Sequence, residues 1–91
     1  MDKRELLYKL INEKLWKNLS DKEIRLYLFL IVISDKEEGS GKLNLKEINF
    51  NLGFKFNKND IEKAMEKLQK LNLISIASLK KYTVKFILKS P

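Results

Sequence analysis

Apolar residues recur at helical spacing along the first eighteen positions. Leu6, Leu7, Leu10, Ile11 and Leu15 alternate with charged side chains, and no glycine or proline intervenes. Residues 3–18 are therefore predicted as an amphipathic helix, with Trp16 near the edge of its stripe. Residues 18–21 break the pattern. Ser20, followed three positions later by Glu23, then has the form of a capping box, in which each side chain satisfies a free backbone N–H at a helix start. The helix it opens is apolar around almost its whole circumference over 24–33, with Arg25 its one charge. A helix of that kind must be covered on several sides. Its longest apolar run, residues 26–33, is far short of the roughly 20 needed to cross a bilayer.

Residues 34–42, SDKEEGSGK, have the composition of a loop. The Gly-Ser-Gly-Lys piece lacks the glycine spacing and the hydroxyl residue after Lys42 that a phosphate loop needs, so it is predicted as a flexible turn. Residues 43–45 suit one short strand pair. Asn44 with Glu47 forms another capping pattern, Leu45, Ile48 and Leu52 line a short helix, and Gly53 suits the left-handed position that ends it. A turn over 54–58 leads to a longer helix, 59–71, capped by Asn59 with Glu62. Ile61, Ala64, Met65, Leu68 and Leu71 face inward on it, and Asn72 takes the left-handed stop. The period then becomes alternating. Residues 74–76 and 82–88 are predicted as strands joined by a turn at 77–81, a β-hairpin with a basic tip.

The charge is unevenly placed. The net charge is +7, yet residues 1–41 carry eight basic and eight acidic side chains, and the whole excess falls in residues 42–91, with eleven lysines against four acids. A concentrated positive field suits a polyphosphate, an anionic membrane surface or an acidic partner. The same lysine richness also fits an AT-rich genome or a hot habitat. With no cysteine and no histidine, the 91-residue chain has no disulfide, no thiolate or imidazole metal site and no nucleophile–histidine pair. Asp21, Asp35, Glu37 and Glu38 read as caps and loop solvation. The expectation is a single domain without enzymatic activity, cofactor or metal, and the lack of cysteine fits a reducing cytoplasm.

The order helix, helix, short strand, helix, turn, helix, hairpin, with LNLKEINFNLG (43–53) and the buried and stop positions Ile61, Met65, Leu68, Asn72, Leu73 and Ile74, resembles the winged helix-turn-helix family. LSDKEIRLYLFL (19–30) is similar to the first helix of winged-helix domains in phage and plasmid replication initiators and related regulators. The resemblance implies a mainly α fold with a small β-wing (α+β): a core over 19–91 preceded by an extra N-terminal helix, 1–18, as a homodimerisation element. It also implies binding of double-stranded DNA, in transcription regulation or as a replication accessory, with the helix 59–71 in the major groove and the hairpin 74–89 as wing. Lys55, Lys58, Asn59 and Lys63 would cluster at the start of that helix, with Lys67 and Lys70 further along it. Lys80 and Lys81 would sit at the wing tip with Lys85 behind, and Lys42 and Lys46 would touch the backbone.

Two departures from the family pattern stand out. The 54–58 turn is about two residues longer than the usual spacing, and Glu66 lies at the centre of the outward helix face. Both leave open a second role, as a winged-helix protein-interaction module without DNA binding. Several residues admit a plainer reading as well. Lys63, Glu66, Lys67 and Lys70 suit a solvated face with a Glu66–Lys70 pair, Lys80 and Lys81 suit a soluble hairpin tip, and Asn59 suits a cap. Trp16, Tyr8 and Tyr27 read as packing residues rather than base-stacking platforms.

Overall fold

The computed structural model describes residues 3–12, 14–35, 37–44, 58–80 and 82–89. Among them it has three α-helices, α1 (Lys3–Asn12), α2 (Asp21–Ile33) and α3 (Lys58–Lys70), a 3-10 turn at Leu15–Asn18, and strands β1 (Ser40–Asn44), β2 (Ile74–Lys80) and β3 (Thr83–Leu88). The strands form one antiparallel sheet in the order β1-β3-β2, an α+β architecture. The predicted short helix at 45–52 and its Gly53 stop lie outside the described residues, as does most of the 54–58 turn.

The predicted helix over 3–18 is two pieces. Leu6 and Leu10 are buried, but continuing that stripe by helical steps would carry Lys14 and Lys17 inward. Instead Lys14 turns left-handed at φ 54°, the 3-10 turn follows, and Leu19 enters the core. Lys3 Nζ donates to the Ser34 carbonyl at 2.9 Å, tying the start of α1 to the end of α2.

The capping box of α2 is present in both directions. Glu23 N–H donates to Ser20 Oγ at 3.2 Å, and Ser20 N–H donates to Glu23 Oε1 at 2.7 Å. Leu26, Tyr27, Leu30 and Ile31 are buried, while Leu28, Ile33 and, at 73% exposure, Val32 face outward, so part of the apolar circumference is left uncovered.

The glycine-rich piece is a strand where a flexible turn was predicted. The turn closes by Gly39 (φ 70°), with Asp35 N–H donating to the Ser40 carbonyl at 2.7 Å, and β1 starts at Ser40 rather than at residue 43. Gly41 opposes Phe86 on β3, and the absent side chain is the reason this segment can pair. A Cβ there would lie 2.5 Å from Phe86 Cζ.

The second strand likewise runs through the predicted 77–81 turn to Lys80. A register shift between Ile76 and Ser78 leaves Ala77 unpaired, so the bulge absorbs the residue that broke the alternation. β3 accordingly starts at Thr83, one residue later than predicted. The third helix opens at Lys58, one residue before Asn59, which thus sits in its first turn rather than capping it. Its end is as the sequence indicates. Asn72 is left-handed at φ 63°, Leu73 N–H reaches the Leu68 carbonyl and Asn72 N–H the Gln69 carbonyl, the paired bonds of a Schellman stop.

One core joins these layers. Ile61, Ala64, Met65 and Leu68 of α3 pack with Leu43, Ile74, Val84, Phe86 and Leu88 from the inner sheet face and with the buried residues of α1 and α2. Within it the Tyr27 hydroxyl has no hydrogen-bond partner among the described residues, and burial pushes its pKa up to about 12. The folded state thus keeps the phenol protonated where an unfolded tyrosine ionises. Stability is therefore expected to fall as pH rises from about 10 toward 12. Tyr27→Phe should remove that component and leave neutral-pH stability unchanged or slightly higher; alkaline denaturation monitored by circular dichroism checks both.

Candidate nucleic-acid interface

The amphipathic sequence of α3 places its site residues. With Ile61, Ala64, Met65 and Leu68 locked inward and Leu71 half-buried against them, Asn59, Lys63, Glu66, Lys67 and Lys70 face solvent. Lys63, Glu66, Lys67, Lys70 and Leu71, with Asn18 from the 3-10 turn, line an open groove of about 740 Å³. A smaller recess of about 190 Å³ between the first turns of α2 and α3 is lined by Ser20, Lys22, Glu23, Asp60 and Lys63.

Lys67 is engaged within the protein. Its Nζ lies 3.2 Å from Glu23 Oε1, the oxygen that also accepts from Ser20 N–H, so one carboxylate caps α2 and clamps α3 against it. Burial opposes ionisation of Glu23, but the Ser20 backbone N–H, Lys67 and the Ser20 hydroxyl together hold its carboxyl below its usual range. A carboxyl with a lowered folded-state pKa contributes stability that is complete above the unfolded value, near 4.3, and is lost as pH falls through the folded one. Glu23→Gln is therefore expected to flatten the acid limb of a pH–stability curve. Ser20→Ala should cost about 1 kcal/mol at neutral pH in urea denaturation. The sequence shows the cap, but the reach of Lys67 across 44 positions has no local signal. Gln69 was missed for the same reason: its Oε1 accepts from Ile76 N–H at 2.7 Å and fixes β2 to α3.

The sheet carries Lys42, Lys80 and Lys85, the other predicted site lysines among the described residues. Along β3 Val84, Phe86 and Leu88 are buried while Lys85 and Ile87 are exposed, and along β1 Leu43 is buried while Lys42 is exposed. Lys42 and Lys85 are direct cross-strand partners, and Lys80 pairs with Thr83 at the hairpin end. The inner face of this sheet shares the core with α3, so Lys42 and Lys85 project from the face turned away from that helix. The structure thus divides the predicted residues. Asn59, Lys63, Lys67 and Lys70 share a helix face, Lys42 and Lys85 share the outer sheet face, and Lys80 stands at the free end of the hairpin. Lys46, Lys55, Lys81 and the Lys58 side chain lie outside the described residues.

The N-terminal aromatics depart from expectation. Tyr27 is buried as a packing residue, but Tyr8 (61% exposed) and Trp16 (47%) face solvent, with Lys17 Nζ 5.7 Å from the Trp16 ring centroid. Leu7 and Ile11, one helical turn apart on α1, are exposed as well. Among the described residues no helix is long and apolar enough to cross a membrane. No protein-family model matches the chain, and no curated protein or solved structure shows significant similarity to it.

Proposed function

We propose that this chain is a winged-helix protein that binds double-stranded DNA, with the outward face of α3 in the major groove and the β2–β3 hairpin alongside as a wing. The observation that carries this reading is α3 itself. One face is fixed in the core, the other presents Asn59, Lys63 and Lys70 to solvent, and a two-bond stop passes directly into an antiparallel hairpin. Lysines at such a surface neutralise phosphates and release counterions. Asn59, in the first turn, has the donor and acceptor needed for an adenine edge, and Glu66 can accept from a cytosine amino group. A transcriptional regulator or a replication accessory factor in a reducing cytoplasm uses this chemistry without catalysis.

Self-association through the N-terminal helices belongs to the same proposal, because Leu7, Tyr8, Ile11 and Trp16 are exposed on the half of the chain with no net charge. The exposed apolar residues and Glu66 favour a second reading, a protein-interaction module in a larger assembly.

Fluorescence anisotropy with mixed-sequence duplex DNA separates the two. Binding should weaken with salt at a log–log slope between about −3 and −5, for three to six lysine–phosphate contacts. Absence of salt-sensitive binding at low ionic strength would overturn the DNA reading and leave the interaction module.

A further inference from the structure

The outer face of the sheet is built in a way that α3 does not explain. Three cross-strand rows run over it: Ser40, Ile87 and Ser75; Lys42, Lys85 and Ser78; and Asn44, Thr83 and Lys80. None of these positions is acidic. Among the described residues, the acidic side chains nearest to β1 in sequence, Asp35, Glu37 and Glu38, belong to the turn before it, at the Ser40–Ile87 end of the sheet and away from Lys80. Lys42 and Lys85 stand directly opposite each other, and among the described residues neither forms a salt bridge. Like charges in that position repel and destabilise a strand pair, whereas a sheet face serving only solubility would intersperse the two signs. Hydroxyl and amide groups flank the two lysines, and these groups together with ammonium ions are the usual partners of phosphate oxygens.

We propose that the outer face of the β1-β3-β2 sheet, centred on Lys42 and Lys85, is a second phosphate-backbone site that takes a nucleic-acid segment other than the duplex on α3. Lys42 and Lys85 project from the sheet face turned away from α3, so a duplex lying along α3 with the hairpin end as its wing leaves this pair free. The protein therefore bridges two segments. This inference rests on the DNA reading of α3 for its first segment, but the sheet face is argued from its own register and charge.

The test uses two short duplexes, one labelled with a donor and one with an acceptor, at low ionic strength with the full chain. Wild type is expected to bring them together, giving energy transfer, and to bind more than one duplex per protomer. Lys42→Gln with Lys85→Gln should abolish transfer while leaving anisotropy binding of one duplex within about twofold. Lys63→Gln with Lys70→Gln should also abolish transfer, but through loss of the other site. Circular dichroism melts confirm that each variant folds, as exposed-site substitutions should.

Transfer that persists in the Lys42/Lys85 variant would overturn the inference and assign bridging to a dimer carrying two α3 sites. No transfer in wild type, with single-duplex binding that only the α3 variant removes, would overturn it while the α3 reading stands. Loss of all binding in the Lys42/Lys85 variant alone would instead remove the α3 reading and make the sheet the sole interface, so that nothing is bridged.

Discussion

Reversing two charges on the outward face of α3, with Lys63→Glu and Lys70→Glu together, is expected to weaken duplex binding at that face by about 100-fold at low salt. The effect is read in a chain that also carries Lys42→Gln and Lys85→Gln, so that the sheet does not bind in its place. The expectation combines two lost phosphate contacts with two new repulsions, and the remaining salt slope should become shallower by about 2. Both side chains are exposed on a helix held by four inward residues. The melting temperature should therefore stay near that of wild type, and a circular dichroism melt beside the anisotropy titration separates lost binding from lost fold. Lys67→Gln makes a contrasting case. Because Lys67 is already paired with Glu23 across the helix interface, its loss should affect stability more than DNA affinity. An exposed pair of this type contributes at most about 1 kcal/mol.

The largest stability effect is expected at Gly41. A Cβ would lie 2.5 Å from Phe86 Cζ and 3.0 Å from Cε1, closer than side chains approach, and the Phe86 ring is buried on the central strand with little room to move. Overpacking of this sort costs about 1–3 kcal/mol. Gly41→Val, which suits a strand by propensity, should fall at the upper end and lower the melting temperature by on the order of 10–20 °C. In a Phe86→Leu background the same substitution should cost clearly less, since the ring tip is gone. A thermal double-mutant cycle measures that coupling.

These two sites also show how far the sequence could be read. The Ser20–Glu23 box, the inward face of α3 and the Asn72 stop were legible because each is local: a cap, a helical period and a left-handed residue act within a few positions of themselves. Gly41 was misread because its glycine serves a tertiary contact. Composition marks a glycine-rich stretch as a turn, and only the Phe86 ring opposite explains why the stretch is a strand. The 77–81 segment failed for a related reason, since a bulge at Ala77 interrupts the alternation without ending the strand. The N-terminal helix was overextended because Trp16 and Leu15 continued the apolar count while Lys14 and Lys17 had no inward place.

The candidate site divides along the same line. Which α3 residues face outward follows from periodicity alone, and Asn59, Lys63, Glu66 and Lys70 are exposed as that pattern requires. The partition of the lysines between two faces does not follow from sequence, because it depends on which sheet face packs against α3. Nor does the Glu23–Lys67 clamp, which needs two helices brought together.

Backbone amide shifts recorded by NMR during titration with a short duplex test the α3 reading most directly. The account predicts that the earliest and largest changes fall on Asn59, Lys63, Glu66 and Lys70, with smaller ones near Lys80. Changes confined to the exposed apolar residues of α1 and α2, or no changes at all at low ionic strength, would contradict it.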